Sequence, residues 1–229
     1  MKQWEQLGSA QIPNGGGELK LSRRDQEFSI KLSGIRGELM NSRVHHSEQV
    51  LAELGCVGLQ ETPDAQVLIG GLGMGFTLAS ALQATHPSAT VTVAELIPEV
   101  VDWNRGPLGD CAGRPLDNDR AAVFVGDVGE LMRRSEGFYH AILLDVDNGP
   151  EGLTQEDNNW LYSTAGLETA LRALRPEGML AIWSAGPDSL FTIALKRVGF
   201  QVEVRTVRAR PGKGSRHTLF FARRPFRPR

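Results

Sequence analysis

Cysteine is scarce: Cys56 and Cys111 are the only two in 229 residues. Their spacing matches neither a disulfide framework nor a metal-ligand pair, so two reduced thiols in a cytoplasmic protein are expected. No apolar run approaches the ~18 residues of a membrane helix, and the opening Met1-Lys-Gln-Trp-Glu-Gln-Leu7 lacks the apolar core of a secretory signal. Membrane insertion and secretion are therefore not expected. Charge of one sign is also missing overall. A formal net charge of -2 gives no field that would draw the whole chain to nucleic acid or an anionic membrane. Internal repeats and low-complexity segments are absent as well. The 41% hydrophobic content is enough for the core of one α/β domain with a modest extension.

The organisation changes once along the chain. Glu18 to Ser22, Glu27 to Leu32 and Ile35 to Met40 alternate with period two and are separated by turn-forming residues, which predicts a small antiparallel β-meander. Ser47 has the position of an N-cap for an amphipathic helix through Val50, Leu51 and Leu54. Residues 1–46 are thus expected as an N-terminal β extension and residues 47–229 as the main domain. In the latter, apolar strands beginning at Gln66, Thr90, Ala122, Ala141 and Met179 alternate with helical patterns beginning at Thr77, Pro98, Val128, Thr164 and Ser189. Continuous apolar strands separated by helices imply a parallel sheet covered on both faces. Phe200 to Val207 and His217 to Ala222 flank Pro211-Gly-Lys-Gly-Ser215 and read as a terminal antiparallel hairpin. The expected fold class is α/β, Rossmann-like, with a mostly parallel seven-stranded sheet.

The densest signal is Val67-Leu-Ile-Gly-Gly-Leu-Gly-Met-Gly-Phe-Thr-Leu78 followed by Val91-Thr-Val-Ala-Glu95. A β-branched run enters the alternating Gly71, Gly73 and Gly75, a helical pattern leaves them, and an acid closes the next strand. Glycine lets the backbone turn sharply without a Cβ in the way of a ligand. A carboxylate at the neighbouring strand end can accept both hydroxyls of a ribose, so Glu95 is the ribose candidate. Val123-Phe-Val-Gly-Asp127 ends in an acid that either receives the exocyclic amine of an adenine or caps the helix opening at Val128. In Ala141-Ile-Leu-Leu-Asp145-Val-Asp147, Asp145 ends an apolar strand at the ligand-binding edge of an open sheet, and Asp147 can face the same space. A plain solvated turn is the alternative there, since Asp, Asn, Gly and Pro all favour turns.

These strings resemble the spermidine synthases, the polyamine aminopropyltransferases, over about Leu39 to Pro187. That family places a Gly-Gly-Gly-Asp-Gly-Gly-Thr-Leu loop before a Val-Glu-Ile-Asp strand, a Gly-Asp turn and an Asp-Ser-Thr-Asp-Pro segment on a class I S-adenosylmethionine methyltransferase fold. Gly71-Leu-Gly-Met-Gly-Phe-Thr-Leu78, Ala94-Glu-Leu-Ile97, Gly126-Asp-Val-Gly129 and Asp145-Val-Asp-Asn-Gly-Pro150 stand in their places, and Leu174-Arg-Pro-Glu-Gly-Met-Leu180 is similar to the turn before the fifth strand. The resemblance implies that Gly71, Gly73 and Gly75 hold the amino-acid end of the nucleoside, Glu95 its ribose, and Asp127 with Val128 its adenine. It makes Asp145 the catalytic acid. The implied reaction moves an aminopropyl group from decarboxylated S-adenosylmethionine to an amine, with Glu48 and Asp147 on the acceptor side. No metal is expected, and the expected partners are a small-molecule amine and at most a second copy in a homodimer.

The chain departs from the family on the substrate side. The loop aspartate is Met74, the second acid of the Asp-Ser-Thr-Asp-Pro segment comes one place early as Asp147, and of the upstream Tyr-His-Glu only Glu48 is matched, within His46-Ser47-Glu48. The rival readings are a small-molecule methyltransferase using intact S-adenosylmethionine and a catalytically silent nucleoside-binding protein. A dinucleotide dehydrogenase is disfavoured, because Phe76 stands where Gly-x-Gly-x-x-Gly requires its last glycine. From Arg134 to Arg172 no Lys or Arg intervenes while Glu136, Asp145, Asp147, Glu151, Glu156, Asp157 and Glu168 do, so a negative mouth for a cationic substrate is expected beside the alternative of a solvated acidic face. Trp160 and Tyr162 are candidates for an apolar wall, or for core. From Arg205 onward there are nine Lys or Arg residues and no acid. With few aromatics among them, an edge hairpin and frayed tail are expected there, without a nucleic-acid partner. His45 and His46 lack a third ligand at metal-site spacing.

Overall fold

A computed structural model describes residues 3–34, 37–146 and 159–226. Two sheets organise them. The first is an antiparallel meander in the order β1 (Glu5–Ile12), β2 (Gly17–Arg24), β3 (Glu27–Leu32) and β4 (Met40–Asn41). Its first strand is not among the predicted ones: Glu5-Gln-Leu-Gly-Ser-Ala-Gln-Ile12 has little apolar alternation and shows a register irregularity at Gly8. The expected strand from Ile35 to Met40 reduces to Met40–Asn41, with Ile35 and Arg36 outside the described residues.

The second sheet has seven strands, β5 (Gln66–Gly70), β6 (Thr90–Glu95), β7 (Ala121–Val125), β8 (Tyr139–Leu144), β9 (Leu174–Ser184), β10 (Gln201–Arg210) and β11 (Lys213–Arg223). Their order is β10-β11-β9-β8-β5-β6-β7. β7, β6, β5, β8 and β9 run parallel, and β11 joins β9 antiparallel as one arm of the terminal hairpin. This is the expected mostly parallel seven-stranded sheet of the class I methyltransferase fold.

Alternate residues of each strand feed two cores, as a pleated sheet buried on both faces requires. Val67, Ile69, Val91, Val93, Ala141 and Leu143 face α1 (His46–Gly55), α2 (Phe76–Gln83), α3 (Pro98–Arg105) and the apolar side of the meander. Leu68, Ala94, Ile142, Leu144, Leu180 and Ile182 face α4 (Val128–Arg133), α5 (Asn159–Tyr162), α6 (Thr164–Ala173) and α7 (Ser189–Val198). Local chemistry sets the helix starts: Ser163 accepts from the Gly166 amide and Asp188 from the Phe191 amide, while Pro98 occupies the first turn of α3.

Ser47 does not cap α1. His45 occupies the N-cap position without a side-chain bond, and Ser47 lies inside the helix with its hydroxyl turned to the β9–β11 side. A serine near a helix start satisfies the cap rule by composition, yet here its hydroxyl has stronger partners across the fold.

Candidate active site

The strand order reverses between β5 and β8, and their carboxyl ends open a crevice there, the place where open α/β sheets receive ligands. Gly71 and Gly73 follow β5, both in left-handed conformation at φ 87° and 53°. A Cβ on Gly71 would sit 2.3 Å from the Asp145 carbonyl oxygen, so glycine is required for the loop to pass the end of β8. Asn104 holds the loop from the other side, donating to the Gly73 carbonyl at 2.8 Å and to the Val100 carbonyl at 2.9 Å. Nothing in the sequence pattern singled out Asn104, since a buried amide inside a helix carries no motif.

A cavity on this crevice is walled by Gly71, Gly73, Glu95, Gly126, Asp127, Val128 and Asp145, and roofed by Ile12, Leu19 and Ile30 of the meander. Gly75 is not in that wall. It is the left-handed N-cap of α2, packed towards Asn104 and Pro115, so its role is to turn the chain into the helix. Glu95 is buried, with one carboxylate oxygen accepting from the Leu72 amide and the other from the Ile97 amide, both at 2.9 Å. Burial raises its pKa while these amides pull it down. Each oxygen keeps lone-pair capacity towards the cavity.

Of the two roles the sequence left open for Asp127, the structure shows the helix cap. It lines the cavity, but one oxygen caps α4 through the Gly129 amide at 2.8 Å and the other is paired with Arg133 at 2.9 Å. Val128 is buried beside it.

A second cavity adjoins the first and shares Leu39, Met40, Gly73, Asp145 and Val146 with it. Glu48, Leu72 and Trp183 complete its walls. Glu48 rises from the first turn of α1 and Asp145 from the end of β8, so two carboxyls far apart in the chain meet in one small space. Both keep some accessible surface, as groups on a cavity wall do, but are otherwise enclosed by apolar neighbours. Burial pushes Asp145 up to about 6, against a 2.6 Å hydrogen bond from the Thr77 hydroxyl that pulls it down. Burial, and then the Asp145 charge, push Glu48 well above the ordinary carboxyl range. Two acids so placed do not both ionise readily.

The structure departs from three expectations. Tyr162 does not wall the site: it is buried in the core edge-on to Phe191, 5.7 Å between ring centroids. Trp160 lies over the Arg133 guanidinium, 4.5 Å from its ring centroid, and against Gly129, so it lines neither cavity. In both cases the α5 turn folds back on α4 and α6. Of the acidic interval, Glu136 is exposed before β8, at the opposite sheet edge, and Glu168 is exposed on α6, so only Asp145 of the described acids reaches the crevice. Asp147, Glu151, Glu156 and Asp157 lie outside the described residues. Met74 is buried in the core. The aromatic group that does line the second cavity is Trp183, next to last in β9.

No family model matches the chain. The polyamine aminopropyltransferase of Korarchaeum cryptofilum (strain OPF8) is 26% identical over 148 residues, which are 65% of this chain and 42% of that protein. A spermidine synthase in complex with the transition-state analogue AdoDATO superposes with a TM-score of 0.77 at 20% identity, covering 97% of this chain and 75% of the other. The chain shares the fold of the spermidine synthases. The Thermotoga maritima spermidine synthase gives 0.73 at 19% identity, over 97% and 74% of the two chains. The structural likeness shows the fold, and the sequence match extends over less than half of the curated relative's length. No helix among the described residues is long and apolar enough to cross a membrane.

Proposed function

We propose that this spermidine synthase-like chain is a transferase that moves an aminopropyl group from decarboxylated S-adenosylmethionine to an amine. The observation that carries the reading is the shared wall of the two cavities. Asp145 borders both the space next to Gly71, Gly73 and Glu95, suited to the nucleoside, and the space containing Glu48, suited to a cation. An acceptor nitrogen held between Glu48 and Asp145 would face the donor across the common wall.

In the step itself the amine lone pair forms a bond to the methylene carbon next to sulfur. The carbon–sulfur bond breaks with its electron pair going to sulfur, so the sulfonium becomes a neutral thioether, 5′-methylthioadenosine. The proton on the attacking nitrogen passes to Asp145, whose elevated pKa makes it a better base than an ordinary carboxylate. Glu48 stabilises the positive charge of the incoming amine. Because the leaving group is good, alignment of nitrogen, carbon and sulfur is the main task, and it falls to the cavity walls. Asp147 is assigned a supporting electrostatic role towards the acceptor.

The test is steady-state kinetics with putrescine, spermidine and other diamines as acceptors across pH. Asp145→Asn is expected to lower turnover by roughly 10²- to 10⁴-fold, the usual contribution of general acid-base catalysis, with little change in nucleoside affinity. Turnover near that of the wild type would remove Asp145 as the base. Methyl transfer from intact S-adenosylmethionine, with equal or tighter affinity for it, would move the assignment to a methyltransferase.

A further inference from the structure

Trp183, Ser47, His217 and Ser215 form a hydrogen-bonded chain behind the carboxylate cavity. The Trp183 indole nitrogen donates to the Ser47 hydroxyl at 3.0 Å, Ser47 Oγ lies 2.8 Å from His217 Nδ1, and His217 Nε2 lies 3.0 Å from the Ser215 hydroxyl. An indole N–H can only donate, so Ser47 accepts from Trp183, while the direction of the Ser47–His217 bond follows the His217 tautomer. Burial lowers the pKa of this half-buried ring, which favours the neutral imidazole. The His217 ring also meets Trp183 at 4.7 Å between centroids and 61° between planes.

The chain joins three elements. Ser47 precedes Glu48 in α1, Trp183 is next to last in β9, and His217 lies on β11 one residue before the Thr218–Ser184 register pair. Ser47 is 2% exposed, so the indole's single polar atom is satisfied away from solvent, while the ring keeps accessible surface and lines the cavity with Glu48 and Asp145. The site therefore presents an apolar aromatic surface and two carboxyls to the same small volume, a combination that suits an ammonium group on a methylene stem.

We propose that Trp183 is the specificity-determining wall for the acceptor amine, receiving its methylene stem and adjacent ammonium, and that Ser47 and His217 are positioning residues that hold the indole. The inference rests on the reading of this cavity as the seat of an amine. Ser47 acts through the indole N–H, so removing its hydroxyl should matter only while that N–H is there to hold.

The experiment is calorimetric titration of putrescine, and of a series of longer diamines, into protein saturated with 5′-methylthioadenosine. Trp183→Ala is expected to weaken amine binding by roughly 5- to 30-fold, the range of a partly desolvated cation on an aromatic face, and Trp183→Phe to stay within about threefold of wild type. Nucleoside affinity should change by less than about twofold in both, because the nucleoside cavity does not include Trp183. In a double-mutant cycle, Ser47→Ala should weaken amine binding in the wild-type background and have no effect in Trp183→Phe, which separates positioning from a general loss of stability. Amine binding by Trp183→Ala within twofold of wild type overturns the proposal, as does an equal Ser47→Ala effect in both backgrounds. Wild-type protein that binds the nucleoside but no amine overturns the inference together with the acceptor reading. Wild-type protein that binds no nucleoside sinks the proposed function itself.

Discussion

Replacing Asp145 by asparagine should make the unliganded protein more stable at neutral pH while disabling the site. The carboxyl rises from an ordinary 3.8 to about 6 on folding, because burial disfavours its charged form by more than the Thr77 hydrogen bond favours it. At about 1.4 kcal/mol per pH unit, ionising it in place costs the folded state up to ~3 kcal/mol. Partial exposure at the cavity wall and coupling to the neighbouring Glu48 reduce that figure, and ~1 to 3 kcal/mol is the expected gain for Asp145→Asn at pH 7.5. The amide oxygen can still accept from Thr77, while the new NH₂ group needs an acceptor of its own at the cavity wall, which takes a part of the gain away. The sign follows from the raised pKa. Wild type enjoys the full benefit of holding this proton only below about pH 4 and loses it as pH rises through about 6, so the advantage of the variant should be near zero at pH 4, grow to pH 6 and then level off. Urea denaturation of both proteins from pH 4 to 8 measures it. A variant no more stable than wild type at pH 7.5, or equally advantaged at pH 4 and 7.5, would refute the account of Asp145 as a buried, costly carboxylate.

Glu95→Gln should weaken 5′-methylthioadenosine binding by about 1 to 3 kcal/mol, the range for charge-assisted hydrogen bonds. Because one side-chain oxygen then becomes an NH₂ group facing the Leu72 or Ile97 amide, it should also lower stability, read in the same calorimetric and denaturation experiments. Thr77→Val removes the bond that favours the Asp145 carboxylate, so the acidic limb of the pH–rate profile should move to higher pH; an unchanged limb would detach that limb from Asp145. Decarboxylated S-adenosylmethionine should bind tighter than the intact form, since the added carboxylate would enter a crevice already containing Glu48 and Asp145, and competition against 5′-methylthioadenosine measures the ratio. Glu177→Gly should raise stability by up to ~1 kcal/mol, because Glu177 occupies a left-handed conformation at φ 65° where glycine is unstrained; no gain in a thermal melt would show the strain to be relieved locally.

The central sheet and its edge of acids were legible because period and punctuation are local. Continuous apolar runs announced β5, β6 and β8, the glycines announced the turn after β5, and Glu95, Asp127 and Asp145 stand at or just beyond strand ends where the fold opens. Pairwise meetings of distant residues were not legible. Glu48 and Asp145 are brought together by α1 crossing the sheet, Trp183 meets Ser47 across 136 residues, and no spacing rule encodes either. Trp160 and Tyr162 show the reverse error. Proximity in sequence to an acidic loop suggested a cavity wall, but α5 returns them to the α4 and α6 side, where a tyrosine ring gains more from core packing. Strand β1 escaped because a meander strand with glycine, serine and two glutamines among its eight residues has almost no period-two signal.

Met74 bears on how the remaining charge is used. In the family that the chain resembles, an aspartate at this place contributes to the donor's aminopropyl pocket. Here the methionine side chain packs into the core and lines neither cavity, so restoring an aspartate would bury a carboxylate in apolar surroundings rather than offer it to a ligand. Among the described residues the carboxylates on the two cavities are then Glu48, Glu95, Asp127 and Asp145. Glu95 is committed to two backbone amides and Asp127 to Arg133 and the start of α4, which leaves the Glu48–Asp145 pair for the proposed role towards a cation. Burial disfavours full ionisation of that pair. In the proposed reaction, the donor's amino group and the acceptor's ammonium both draw on it, and the acceptor must lose a proton before it attacks. The chemistry is therefore favoured at a pH where the pair is fully ionised and the amine partly neutral, while the folded protein alone is favoured at lower pH. Ligand binding and stability pull the same two side chains in opposite directions, which is the expected condition of a site whose acids are there for a cation and not for the fold.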